Sequence, residues 1–178
     1  MAHIDVFKSW AESIRQDTDA FKALLESTKA DEKARRIAGG ALQYLVSKMD
    51  LIPDWNEGIG VIDDVMVLRV CAALSQDLDR GALAGAAEAS LERMANQAEK
   101  IQAFLGGPLY DKLKAYCAKL SELTVRGTTI ATLIEDTKQR TDFYKVLDEE
   151  LEKTVPIVVN DPTDAELRLK AYLTHKLQ

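Results

Sequence analysis

The longest apolar pattern in the chain runs from Val61 to Leu74, VIDDVMVLRVCAAL. At roughly 100° per residue, Val61, Val65, Leu68 and Ala72 share one face, while Val67, Val70 and Leu74 lie on the far side. A helix apolar on both faces is buried, in a protein core or in a membrane. Asp63, Asp64 and Arg69 interrupt the run, so it offers no stretch of about eighteen apolar residues to span a bilayer. The pattern therefore predicts a core helix with the rest of the chain packed around it.

The flanking segments read as amphipathic helices. From Ile4 to Ser27, Phe7, Trp10, Ile14, Phe21, Leu24 and Leu25 recur at helical spacing, with Asp17-Thr18-Asp19 as an interruption that predicts a split or a kink. Trp10 fits the core-facing side. Asp31 is placed to cap a helix from about Glu32 to Lys48, whose stripe is Ile37, Ala38, Ala41, Leu42 and Leu45. Gly39-Gly40 inside it costs about 1 kcal/mol per glycine in propensity, which predicts close approach of another helix. Arg35 and Arg36 read as solvated. Pro53 lacks an N–H and drives Ile52 towards extended geometry, so this helix should stop near Met49 or Asp50.

Beyond the central helix, a long helix is predicted from about Arg80 to Leu105, and Gly106-Gly107-Pro108 stops it and starts the next. That one carries Leu109, Leu113, Tyr116, Leu120 and Leu123 and should end near Arg126-Gly127. Thr128 or Thr129 can cap a helix through Ile130, Leu133 and Ile134, continuing or restarting near Thr141 through Leu151. Ile157-Val158-Val159 reads as an extended crossing, and Thr163 with Glu166 fits a capping box for the last helix. The prediction is an all-α fold: six to eight helices bundled around the buried helix at about 61–74. All of residues 1–178 form one domain, with a helix-loop-helix core at about 32–75 and a helical C-terminal extension at about 80–178.

Candidate chemistry concentrates before the central helix. Asp50, Asp54, Asp63 and Asp64 bracket one short loop, in which Gly58 and Gly60 supply turn conformations. The commoner use of such carboxylates is to cap helix ends and accept backbone N–H bonds. The sharper use is a divalent-cation site, for which hard Mg²⁺ or Ca²⁺ would suit clustered oxygens. No EF-hand spacing is present, and capping is the reading carried forward, with no cofactor expected.

The run Tyr44-Leu45-Val46-Ser47, then Asp50-Leu51-Ile52-Pro53-Asp54, then Gly60 and Asp63-Asp64 resembles the YkvA-like family, the DUF1232 domain, over about residues 38–75. The resemblance implies a small helical module of unassigned biochemical function, some of whose members are membrane-associated. It makes Tyr44, Ser47, Pro53, Gly58 and Gly60 the structural positions of the motif. Lys48-Met49 stands where Pro and an aliphatic residue are usual, and Trp55-Asn56-Glu57-Gly58 replaces a more apolar spacer. The polar spacer argues against a membrane role.

Charge and composition narrow the partners. A net charge of -6 is the wrong sign for nucleic acid or an anionic membrane surface, and it is compatible with an unknown protein partner. The two cysteines, Cys71 and Cys117, sit in helical patterns without a CxxC, as buried thiols in a reducing compartment would. The N-terminus shows no signal-peptide pattern, so the expected location is the cytoplasm. His3 and His175 are far apart in sequence, and no P-loop, no GxGxxG after a strand and no GxSxG occurs. The leading expectation is a non-catalytic helical interaction or structural module. The alternatives are a divalent-metal-dependent, hydrolase-like enzyme using the aspartate-rich loop, or a peripheral membrane-associated protein.

Overall fold

The computed structural model describes residues 2–47, 51–52, 59–153 and 157–178. It is an all-α bundle. In chain order the α-helices are α1 (His3–Trp10), α2 (Ile14–Glu26), α3 (Glu32–Val46), α4 (Ile62–Ser75), α5 (Gly85–Leu105), α6 (Gly107–Ala118), α7 (Ile130–Glu135), α8 (Thr137–Glu152) and α9 (Pro162–Lys176). A 3-10 turn, Ala11–Ser13, joins α1 to α2, so the first two segments form one interrupted helix. The interruption lies there and not at Asp17-Thr18-Asp19.

Helix α4 occupies the middle. It packs against α1, α3, α5 and α6, and its residues are buried on every side, as the run from Val61 to Leu74 predicts. Because it is apolar all round, it needs neighbours on all sides, and one continuous apolar core surrounds it.

In the middle of α4 a buried cation, Arg69, interrupts that apolar surface. Arg69 is fully buried, and so is its partner Asp17 on α2. Their salt bridge is 3.1 Å, from Nη2 to Oδ2. The other donors are also used: Nε donates to Gln97 Oε1 on α5 at 2.9 Å, and Nη1 to the Val65 carbonyl at 3.2 Å. The Trp10 ring lies 4.6 Å from the guanidinium carbon, a cation–π contact. Asp17 spends its second oxygen on Arg93 of α5 and accepts the Ser13 hydroxyl at 3.0 Å. Residues Asp17 and Thr18 are therefore not a break. They continue the buried face of α2, with Thr18 Oγ1 returning a hydrogen bond to the Ile14 carbonyl. The cluster ties α2, α4 and α5 together through charge.

Helix α3 ends at Val46, with Ser47 extended, earlier than the expected stop near Met49 or Asp50. The close approach predicted for Gly39-Gly40 is present. A Cβ on Gly39 would sit 2.9 Å from Ile130 Cγ2, and one on Gly40 would sit 2.9 Å from the Leu120 and Ser121 backbone. Arg36 is half-exposed and pairs with Glu32, while Arg35 donates to the Leu25 carbonyl at the end of α2. Asp31 stands at the N-cap of α3, but its carboxylate accepts from the Asp79 N–H.

Three further boundaries differ from expectation. The α5 helix begins at Gly85, not near Arg80, because Gly81 adopts φ +70° and Asp79 accepts its N–H in a tight turn. The α6 helix stops at Ala118, and a 3-10 turn (Leu120–Glu122) leads to a small antiparallel hairpin, β1 (Thr124–Val125) with β2 (Thr128–Thr129). Its two-residue turn, Arg126-Gly127, has φ +52° and +78°. Both central residues are thus left-handed, which matches strand twist in a tight hairpin. For a non-glycine residue such as Arg126 this costs roughly 1–2 kcal/mol. Thr129 does cap α7, accepting the Thr132 N–H. At the last helix Asp161, not Thr163, is the cap, and Glu166 reaches away to accept the Ile4 N–H at 3.1 Å. That bond satisfies an N-terminal donor of α1 and seats α1 against α9.

Burial lowers the Arg69 pKa to about 10, against the opposing pull of Asp17 and with the like charge of Arg93 adding to the drop. The guanidinium remains charged at neutral pH but depends on its counterion. Asp17→Leu should therefore cost about 3–5 kcal/mol, the penalty of stranding a buried charge. The double variant Asp17→Leu/Arg69→Met should be closer to wild type than either single variant. Urea melts of the four proteins check this; additive losses would show that the charges are not coupled.

Candidate functional site

Tyr44 lies in the last turn of α3 and Asp63 in the first turn of α4, and both are fully buried. The Tyr44 hydroxyl donates to Asp63 Oδ2. The same hydroxyl accepts the Leu51 N–H at 2.8 Å, and the Ile52 N–H lies 3.5 Å from Asp63 Oδ2. Leu51 and Ile52 are themselves buried. A phenol and a carboxylate thus take up the backbone donors of a short segment that has no helix to satisfy them. The Tyr44 ring packs edge-on against Tyr116 of α6, with 6.2 Å between centroids.

Electrostatics suit a neutral phenol beside a carboxylate. Burial pushes the Tyr44 pKa well above its ordinary value of 10, and the negative charges of Asp63 and Asp64 push it further. Tyr44 is thus a hydrogen-bond donor that holds its proton, not a proton-transfer group near neutral pH.

Residues 34–69 match the family model for DUF1232, a protein of unknown function. The match begins at 34 and ends at 69, against about 38 and 75 read from the motif, and it covers most of α3 and the first half of α4. No curated protein and no solved structure matches the chain.

Within the DUF1232 segment, the motif residues fall into three groups. Tyr44 and Asp63 are joined directly. Asp64 is half-buried on the first turn of α4, close enough for its charge to act on Tyr44; Ser47 is the C-cap of α3; and Gly60 is buried in the turn before α4. Asp50, Pro53, Asp54 and Gly58 lie outside the described residues. Among the described residues, no group of three or more His, Cys, Asp or Glu side chains is arranged to hold a metal ion.

Sequence reading placed Tyr44 and Asp63 in one motif without pairing them, since nineteen positions separate them. It read Asp17 as part of a break in the helix and did not single out Arg93 or Gln97. For Asp17 a signal existed: it lies three residues after Ile14 and four before Phe21, on the apolar stripe of its helix. A buried acid there calls for a buried base, and α4 carries one in Arg69.

Tyr44 has a definite pH signature. Its folded pKa is raised above the unfolded value, so its contribution is fully present below about pH 10 and is lost as pH rises beyond it. Tyr44→Phe removes a donor from Asp63 and an acceptor from Leu51. It should cost roughly 1–3 kcal/mol at pH 7 and lose stability less steeply than wild type above pH 10. Denaturant melts at pH 7 and at alkaline pH check both parts; a parallel alkaline slope in the two proteins would contradict the assignment.

Proposed function

We propose that this protein is a non-catalytic helical module that acts through its surface on another protein, and that its DUF1232 segment is a packing unit. The observation that carries this reading is the orientation of Asp63. Its carboxylate is fully buried and binds the Tyr44 hydroxyl, with the Ile52 N–H at the same oxygen, so it serves the fold from inside. A carboxylate meant for a reacting substrate or a hydrated cation would need an approach from solvent. Among the described residues no helix is long and apolar enough to cross a membrane, and a net charge of -6 disfavours an anionic lipid surface. The reading places the protein in the cytoplasm, with its two thiols reduced.

The competing reading is a divalent cation held by Asp63 and Asp64 together with Asp50 and Asp54. A cation bound only by the folded state would stabilise it by about 2.7 kcal/mol at a hundredfold excess over Kd. Thermal melts of the wild type and of Asp63→Asn/Asp64→Asn, in millimolar Mg²⁺, Ca²⁺ or Mn²⁺ against a chelator, should show no shift beyond that of ionic strength. An upward shift in wild type that vanishes in the double variant would replace this proposal with the metal-dependent enzyme.

A further inference from the structure

A cleft of about 300 Å³ lies between the hairpin and α8, floored by Val46 at the end of α3. Its apolar walls are Val125, Phe143 and Val146, and its polar rim includes Arg126 and Asp142. That volume is at the lower end of the range for small-molecule sites. The two charges share the cleft without pairing with each other. Arg126 is half-exposed and meets Glu150 only at 3.6 Å. Asp142 is exposed and has no hydrogen-bond or ion-pair partner among the described residues.

Arg126 is also the one non-glycine residue with positive φ among the described residues. Tight hairpin turns of this kind favour Asn-Gly, Asp-Gly or Gly-Gly, which adopt left-handed backbone cheaply. A long, half-exposed ion pair recovers little of the cost. The visible contacts of Arg126 therefore do not account for an arginine at this position, whereas a role at the rim of the cleft would.

We propose that this cleft binds a free α-amino acid with a branched aliphatic or aromatic side chain. Its carboxylate meets the Arg126 guanidinium, its ammonium meets Asp142, and its side chain lies on Val46, Val125, Phe143 and Val146. A simple anion would be repelled by Asp142 and a simple cation by Arg126. A zwitterion satisfies both, and the apolar walls select what it carries.

The test is a titration of the isotope-labelled full chain, followed by NMR, with L-leucine and L-phenylalanine, and with their N-acetyl and amide derivatives. The free amino acids should give saturable shifts at residues 125–128 and 139–146. Each derivative, having lost one charge, should bind about tenfold more weakly or worse. Arg126→Gly should lose binding while melting at a higher temperature than wild type, because glycine takes the left-handed turn without strain. Its folded state thus separates lost binding from lost structure. Asp142→Asn should weaken binding about tenfold. The proposal is overturned if no free amino acid gives a saturable response in the millimolar range, if the derivatives bind equally well, or if both variants bind like wild type.

Discussion

Arg69 sets the terms for the rest of the structure. It projects from the middle of a helix that is buried on every side, so its guanidinium has no route to solvent. Desolvating such a charge costs several kcal/mol, and a single counterion does not offset that without further hydrogen bonds. The fold therefore brings in Asp17 from α2, Gln97 from α5 and the Trp10 ring from α1, while Arg93 takes the remaining oxygen of Asp17. Each contact fixes the position of a different helix relative to α4. Apolar burial would hold α2 and α5 near α4 in many registers. The charge cluster favours one, because a shift by one turn would separate Arg69 from Asp17 and Gln97.

The DUF1232 segment also fixes the N-terminal end of the same helix. Tyr44 and Asp63 close the gap between α3 and α4 by accommodating backbone groups at Leu51 and Ile52. The N-terminal end of α4 is thus anchored to α3 by a phenol–carboxylate pair, and its middle to α2 and α5 by a guanidinium–carboxylate pair. Gly39 and Gly40 on α3 extend the arrangement outward, since their missing side chains let Ile130 and the Leu120–Ser121 backbone reach α3. The portion of the chain that matches DUF1232 is in this way the frame onto which the later helices pack.

Much of this frame was legible in local patterns. The burial of α4 follows from its apolar composition on both faces, the junction at Gly106-Gly107-Pro108 from backbone preference, and the need for close contact at Gly39-Gly40 from the propensity they sacrifice. What escaped depends on pairings between distant residues. Asp17 looked like an interruption because its partner Arg69 lies far along the chain on another helix. The Glu166 side chain looked like half of a capping box, yet it serves Ile4 at the other end of the chain. The hairpin at Thr124–Thr129 has two residues per strand and an Arg-Gly turn, too short and too atypical for periodicity to reveal. Of the candidate site, the Tyr44 and Asp63 positions were visible as a motif, but their bond to each other was not. Asp50 and Asp54 lie outside the described residues, and the carboxylates of Asp63 and Asp64 have different surroundings despite being neighbours in sequence.

The central claim is that the motif faces inward, with Tyr44 and Asp63 holding backbone donors inside the core. Native-state hydrogen exchange at the Leu51 amide tests it most directly, because that N–H is bonded to the Tyr44 hydroxyl in a buried site. The account predicts exchange only through large-scale unfolding, at a rate that does not change when Mg²⁺ or Ca²⁺ is added. Rapid exchange at Leu51, or protection that appears only with a divalent cation, would contradict it.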